Sequence, residues 1–85
     1  MKEFSYMIKD KLGIHARPAG LLVKTAEKFD SEINITLGDK FANAKKIFAI
    51  MSMGIHEGDK ILITASGSDE EKAIKAMKKF FEENL

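Results

Sequence analysis

Two hydrophobic periods alternate along this chain, and their alternation limits the possible fold more than any other feature of the sequence. Near the N-terminus Phe4, Tyr6 and Ile8 alternate with Glu3, Ser5 and Lys9, the period of a strand with one buried face. Met7 interrupts the polar side, and the pattern predicts a strand over 2–9. From residue 16 the period changes: Ala19, Leu22, Val23, Ala26 and Phe29 recur three and four positions apart, while Lys24, Glu27 and Lys28 fall elsewhere on the wheel. That is an amphipathic helix. Ile33, Ile35 and Leu37 return to period two, and Gly38-Asp39 offers the positive-φ tolerance of a tight hairpin before a short strand over Lys40–Asn43. The segment Ile47 to Met53 is apolar but short, so a helix of at most two turns is expected, ended by Gly54. Gly58-Asp59 makes another turn before Ile61, Ile63 and Ala65 alternate with Lys60 and Thr64. Ser68 and Glu71 form an S-x-x-E capping box ahead of a stripe of Ala73, Ile74, Met77, Phe80 and Phe81, which predicts a final helix to near the chain end.

The resulting order, βαββαβα, predicts an α+β fold. A four-stranded antiparallel sheet would have its apolar face covered by the two longer helices and its other face open to water. At 85 residues the chain is expected to form one domain over 1–85, since so short a chain cannot support two cores. Neither a linker nor a strong internal repeat breaks it. A net charge of +1 gives no general attraction to nucleic acid or membrane, so any basic patch must be local. With no cysteine, disulfides, thiolate nucleophiles and cysteine-based metal sites are excluded. The longest apolar run, Ile47 to Met51, is far short of a membrane span. No membrane insertion is expected, and the strand-like N-terminus does not read as a signal peptide. A cytoplasmic location follows as the default.

The stretch GIHARPAG, residues 13–20, carries the chemistry. Gly13 allows a sharp turn out of the first strand, and His15 stands at or just before the start of the first long helix. Pro18 supports that placement: inside a helix it would remove a hydrogen bond and clash, but in the first turn its missing N–H costs nothing. The first amides of a helix lack internal partners and, with the helix dipole, make a small anion site. The same dipole end works against imidazolium and leaves a lone pair able to attack phosphorus. The amides of Ala16 and Arg17, with the Arg17 guanidinium, can then hold the oxygens of a phosphoryl group. A histidine standing alone at a helix start is more often a cap or a surface residue; here the company of Gly13, Arg17 and Pro18 favours chemistry. His56 has no such company and reads as a solvated turn residue. There is no second histidine placed as a base, no Walker-type loop, and no carboxylate pair for acid–base or metal work. No cofactor and no metal are expected.

GIHARPA with its following helix, and the later MSMGI and TASGSDEEKAI, closely resemble the HPr family, the histidine-containing phosphocarriers of the bacterial phosphoenolpyruvate-dependent sugar phosphotransferase system. The resemblance covers essentially the whole chain and implies the HPr-like open-faced sandwich. It also implies that His15 accepts a phosphoryl group through Nδ1 from phosphorylated enzyme I and passes it to the IIA domains of sugar permeases, assisted by Arg17. Such a protein is a carrier with a transient phosphohistidine and not an enzyme in its own right. The family docks its partners with the short helix and the start of the first long helix. That assigns Ile47, Phe48 and Met51 to docking, with Ile50 in the core, and Lys24, Lys45 and Lys46 to a basic rim that steers acidic partners. A carrier visited by successive partners is expected to be a monomer.

Two positions depart from the family pattern. Many Gram-positive relatives open the short helix with a serine that a dedicated kinase phosphorylates. This chain has Lys46 there, with no hydroxyl and the opposite charge. Lysine is also a poor helix start, costing about 0.5–1 kcal/mol against a capping residue. Leu12 stands where relatives often carry a small polar residue, so a hydrogen bond beside the histidine is expected to be missing. Three other functions bear weighing: a paralogue serving a regulatory or nitrogen-related branch, a module that works by docking alone, and an RNA-binding α+β domain. The presence of His15 counts against the docking module. An RNA-binding sheet would need exposed aromatics and a basic stripe, and neither is evident.

Overall fold

Alternating side chains force each strand to send one set of residues to each face of a sheet, and here one face collects Phe4 and Tyr6, Ile33, Ile35 and Leu37, Ala42, and Ile61, Ile63 and Ala65. The computed structural model describes residues 1–85. The elements are β1 (Lys2–Met7), α1 (Ala16–Ala26), β2 (Glu32–Leu37), β3 (Lys40–Asn43), α2 (Ile47–Ser52), β4 (Lys60–Ser66) and α3 (Glu70–Asn84). The four strands form one antiparallel sheet in the order β1-β4-β2-β3. The chain's last strand therefore lies between its first and second. Register places Phe4 opposite Ile63, Tyr6 opposite Ile61, Ile35 opposite both Ile63 and Ala42, and Ile33 opposite Ala65. These residues point to the side covered by α1 and α3, whose Ala19, Leu22, Ala26, Ala73, Met77 and Phe81 are fully buried. Phe81 sits at the centre, its ring 6.1 Å from Phe4, 5.5 Å from Tyr6 and 5.9 Å from Phe80, within the range of favourable aromatic pairs. The other face carries Ser5, Asn34, Thr36 and Thr64, and Phe41, opposite Thr36, is its one aromatic residue. No helix is long and apolar enough to cross a membrane.

The βαββαβα order and the one-sided helical layer stand as expected. Three local features differ. The first strand ends at Met7 and not at residue 9. The Ile8 N–H reaches Asp59 in the turn before β4, and those of Lys9 and Asp10 both reach the Leu85 carbonyl, so the chain leaves the sheet to meet the end of α3. The helix α1 stops at Ala26, and Phe29 packs against the core from the loop beyond it.

The capping box of Ser68 and Glu71 does not form. Asp69 occupies the N-cap of α3 and makes no side-chain cap bond. Its carboxylate instead accepts the main-chain N–H groups of Asp30 and Ser31, each at 2.9 Å, and the Ser31 hydroxyl. Ser31 is the one buried polar residue of the protein, and burying its polar atoms demands such partners. Glu70 takes over the back-reaching bond, accepting the Gly67 N–H at 3.2 Å. Gly67 lies so close to Ser31 that a Cβ there would stand 2.7 Å from the Ser31 Cα. The loops before β2 and before α3 are thereby clamped together, and tertiary contact has overridden the local capping signal.

The Ser31 hydroxyl, then the Asp30 amide, hold the Asp69 carboxyl below the ordinary carboxylate range. A folded-state pKa below the unfolded one contributes stability above the unfolded value, and the contribution is lost as pH falls through the folded one. Asp69→Asn is expected to lower the thermal midpoint at neutral pH, with the difference from the parent shrinking as the solution is acidified through the carboxylate range; melts monitored by circular dichroism check this.

Candidate functional site

The histidine is placed by the turn that precedes it. Gly13 has φ +66°, and a Cβ on it would lie 2.2 Å from the Ile55 carbonyl oxygen and 2.9 Å from the His56 Cα. Only glycine satisfies both the conformation and the contact. Beside it the Ile14 N–H donates to that same Ile55 carbonyl at 3.2 Å, and the Ile14 side chain is buried. The loop is thus pinned against the segment that follows α2. Asp10 shapes its other side: Oδ1 accepts the Leu12 N–H at 2.8 Å, and its carbonyl accepts the Gly13 N–H at 2.9 Å. Leu12 itself is exposed.

His15 is the N-cap of α1 and makes no side-chain cap bond, so the ring is not spent on the helix. Its carbonyl accepts the Ala19 N–H at 2.9 Å, while helix geometry leaves the Ala16 and Arg17 amides without helical partners and Pro18 has no N–H to satisfy. The ring is 37% exposed, with Nε2 3.8 Å from Asp10 Oδ1. It borders an open depression of about 220 Å³ lined by Asp10, His15, Arg17, Pro18, Leu21, Glu83 and Asn84. Arg17 is exposed and takes part in no ion pair, leaving its guanidinium available to an anion held at the helix start.

The short helix α2 divides its side chains as a two-sided element must. Ile50 is fully buried, Phe48 is 81% and Met51 41% exposed, and Ile47 is half-buried. Ile47 lies beside α1, its Cδ1 3.9 Å from where a Cβ on Gly20 would stand. Lys24 is in the last turn of α1, and Lys46 caps α2 without a side-chain bond; both are exposed. Lys45 is half-buried, its ammonium donating to the Phe29 carbonyl at 2.7 Å, so this lysine ties α2's approach to the loop after α1. His56 is exposed, with its N–H donating to Asp59 Oδ2 at 2.8 Å.

Residues 2–83 match the family described as the PTS HPr component phosphorylation site. The chain belongs to the HPr family. Among HPr relatives, the phosphocarrier protein of Mycoplasma capricolum is 47% identical over 92% of this chain and 88% of its own length. A solved histidine-containing phosphocarrier protein of Mycoplasma superposes with a TM-score of 0.94 at 44% identity, covering 96% of this chain and 93% of that one. A dimer of the HPr of Thermoanaerobacter tengcongensis is similar at 48% identity and TM-score 0.78, over 98% and 95% of the two chains. The protein is a phosphocarrier component and not a catalyst, and its partners are those of the phosphotransferase system.

Tertiary structure adds Asp10, Leu21, Glu83 and Asn84 to the surroundings of His15. Asp10 could have been suspected from the turn it builds before Gly13. Glu83 and Asn84 arrive from the far end of the chain, which no local pattern signals. Two outcomes check this account. Gly13→Ala should cost about 2–4 kcal/mol, combining left-handed strain with the overlap on Ile55, measured by urea unfolding. Lys46→Ser should stabilise by about 0.5–1 kcal/mol by giving α2 a capping side chain, read from the same curves.

Proposed function

We propose that His15 takes a phosphoryl group on Nδ1 from phosphorylated enzyme I and passes it to the IIA domains of sugar permeases. The observation that carries this is the histidine at the start of α1, its ring free of capping duty beside the unpaired amides of Ala16 and Arg17. In the transfer, the Nδ1 lone pair forms the bond to phosphorus as the bond to the donor breaks, and the electron pair leaves with the donor. Those amides and the Arg17 guanidinium receive the phosphoryl oxygens, and the half-open ring lets one large partner replace another. Docking falls to Ile47, which lies beside α1, and to the exposed Phe48 and Met51, with Lys24 and Lys46 steering acidic partners and Lys45 contributing through its stem. The working form is a cytoplasmic monomer, since both partners need the same face. Lys46 leaves the start of α2 without a phosphorylatable hydroxyl, so serine-type control is absent there.

Incubation with phosphoenolpyruvate and enzyme I should add one acid-labile phosphoryl group to the intact mass, and none to His15→Ala. Phe48→Ala should raise the KM for phosphorylated enzyme I about fivefold or more, as an exposed apolar contact at an interface does, with an unchanged unfolding midpoint. Ile50→Ala should instead cost about 2–5 kcal/mol of stability. An unmodified parent, with the enzyme I shown to be active on another HPr, would sink the proposal.

A further inference from the structure

A histidine that attacks through one ring nitrogen must keep its proton on the other. Neutral imidazole has two tautomers, and the group facing each nitrogen decides between them. The His15 Nε2 faces the Asp10 carboxylate at 3.8 Å. That is longer than a hydrogen bond, so the contact is one of charge.

Asp10 does not depend on the ring for its position. Its N–H donates to the Leu85 carbonyl at 2.9 Å, its carbonyl accepts from Gly13 at 2.9 Å, and Oδ1 accepts from Leu12 at 2.8 Å. The carboxylate is therefore fixed by the turn before it meets the imidazole. The other charged groups facing the depression are Arg17, from the first turn of α1, and Glu83, from the last turn of α3. Neither is engaged in an ion pair.

We infer that Asp10 is a positioning residue for the transfer: its carboxylate keeps the ring proton on Nε2, presents Nδ1 with a free lone pair, and offsets the charge the ring gains on phosphorylation. The inference rests on the phosphocarrier function proposed above. When Nδ1 bonds to phosphorus and the proton stays on Nε2, the ring becomes an N-phosphorylated imidazolium, and its positive charge faces a carboxylate already in place. When the group moves on, the electron pair of the N–P bond returns to Nδ1 and the neutral Nε2–H tautomer is restored. The protonated ring is the better leaving group, so the carboxylate favours the form ready to donate.

Asp10→Asn tests this, because it keeps Oδ1 as the acceptor for Leu12 and removes only the charge. The variant is expected to accept the phosphoryl group about two- to fivefold more slowly, the range of a partly exposed charge pair, with the KM for phosphorylated enzyme I unchanged. The pH profile for hydrolysis of its phosphorylated form should lie at lower pH than the parent's, a change that a merely structural role would not produce. Nitrogen-15 NMR of the unphosphorylated parent, which needs no partner and no variant, should find the neutral ring's proton on Nε2. Superimposable rates and hydrolysis profiles, or a parent ring carrying its proton on Nδ1, overturn the assignment. If the parent takes up no phosphoryl group from an enzyme I active on another HPr, the carrier function fails and the transfer role of Asp10 falls with it. A proton found on Nε2 would then mark the failure as one of function and not of ring geometry.

Discussion

The sheet has one apolar face, and the rest of the molecule is arranged around burying it. Ile33, Ile35, Ile61, Ile63 and Ala65 are all fully or nearly fully removed from solvent, and a chain of 85 residues has only two helices long enough to cover them. Covering that face uses the inner stripes of α1 and α3 and fixes their positions side by side. The hydrophobic effect is not directional, so it determines which surfaces meet and leaves the details of the ends to specific contacts. Function resides in those details.

At one end, two distant parts of the chain, at Ile55 and Leu85, converge on the turn between β1 and α1. Gly13 closes onto Ile55, Lys9 and Asp10 bond to Leu85, Asp10 supports Leu12, and Pro18 lets α1 begin where it does. None of the hydrogen bonds among them is strong alone, since an ordinary one contributes about 0.5–1.5 kcal/mol. Together they hold the backbone of His15 while leaving its ring half-open. A carrier needs that combination: a fixed nitrogen and free access. At the opposite end the clamp of Asp69 on Asp30 and Ser31 ties the loop after α1 to the start of α3, so α1 is held at both of its ends by groups distant in sequence.

Much of this was legible beforehand. The seven elements, the hairpin at Gly38-Asp39 and the burial of Ile50 follow from periodicity and turn chemistry, because each is a property of a few neighbouring residues. The place of His15 at the start of α1 was legible for a related reason: glycine, histidine, arginine and proline stand together, and each acts on its own stretch of backbone. The errors have a common physical origin. The Ser68–Glu71 box satisfies every local requirement of a cap, yet the buried Ser31 competes for Asp69 and moves the helix start by one residue. Lys45, expected on the basic rim, also has its ammonium donating to the Phe29 carbonyl at 2.7 Å, a contact no local pattern signals.

The sequence by itself determined the element order, the apolar face of each element, the family and the place of His15 at the start of α1. All of these are written in spacing along the chain, where a side chain's direction follows from its position in a strand or helix. Only the tertiary structure decided the strand order that sets β4 between β1 and β2, the clamp at Asp69, and the arrival of Glu83 and Asn84 beside His15. These depend on which distant segments come to share a surface. That outcome comes from packing the whole core at once, and no local window of the chain contains it.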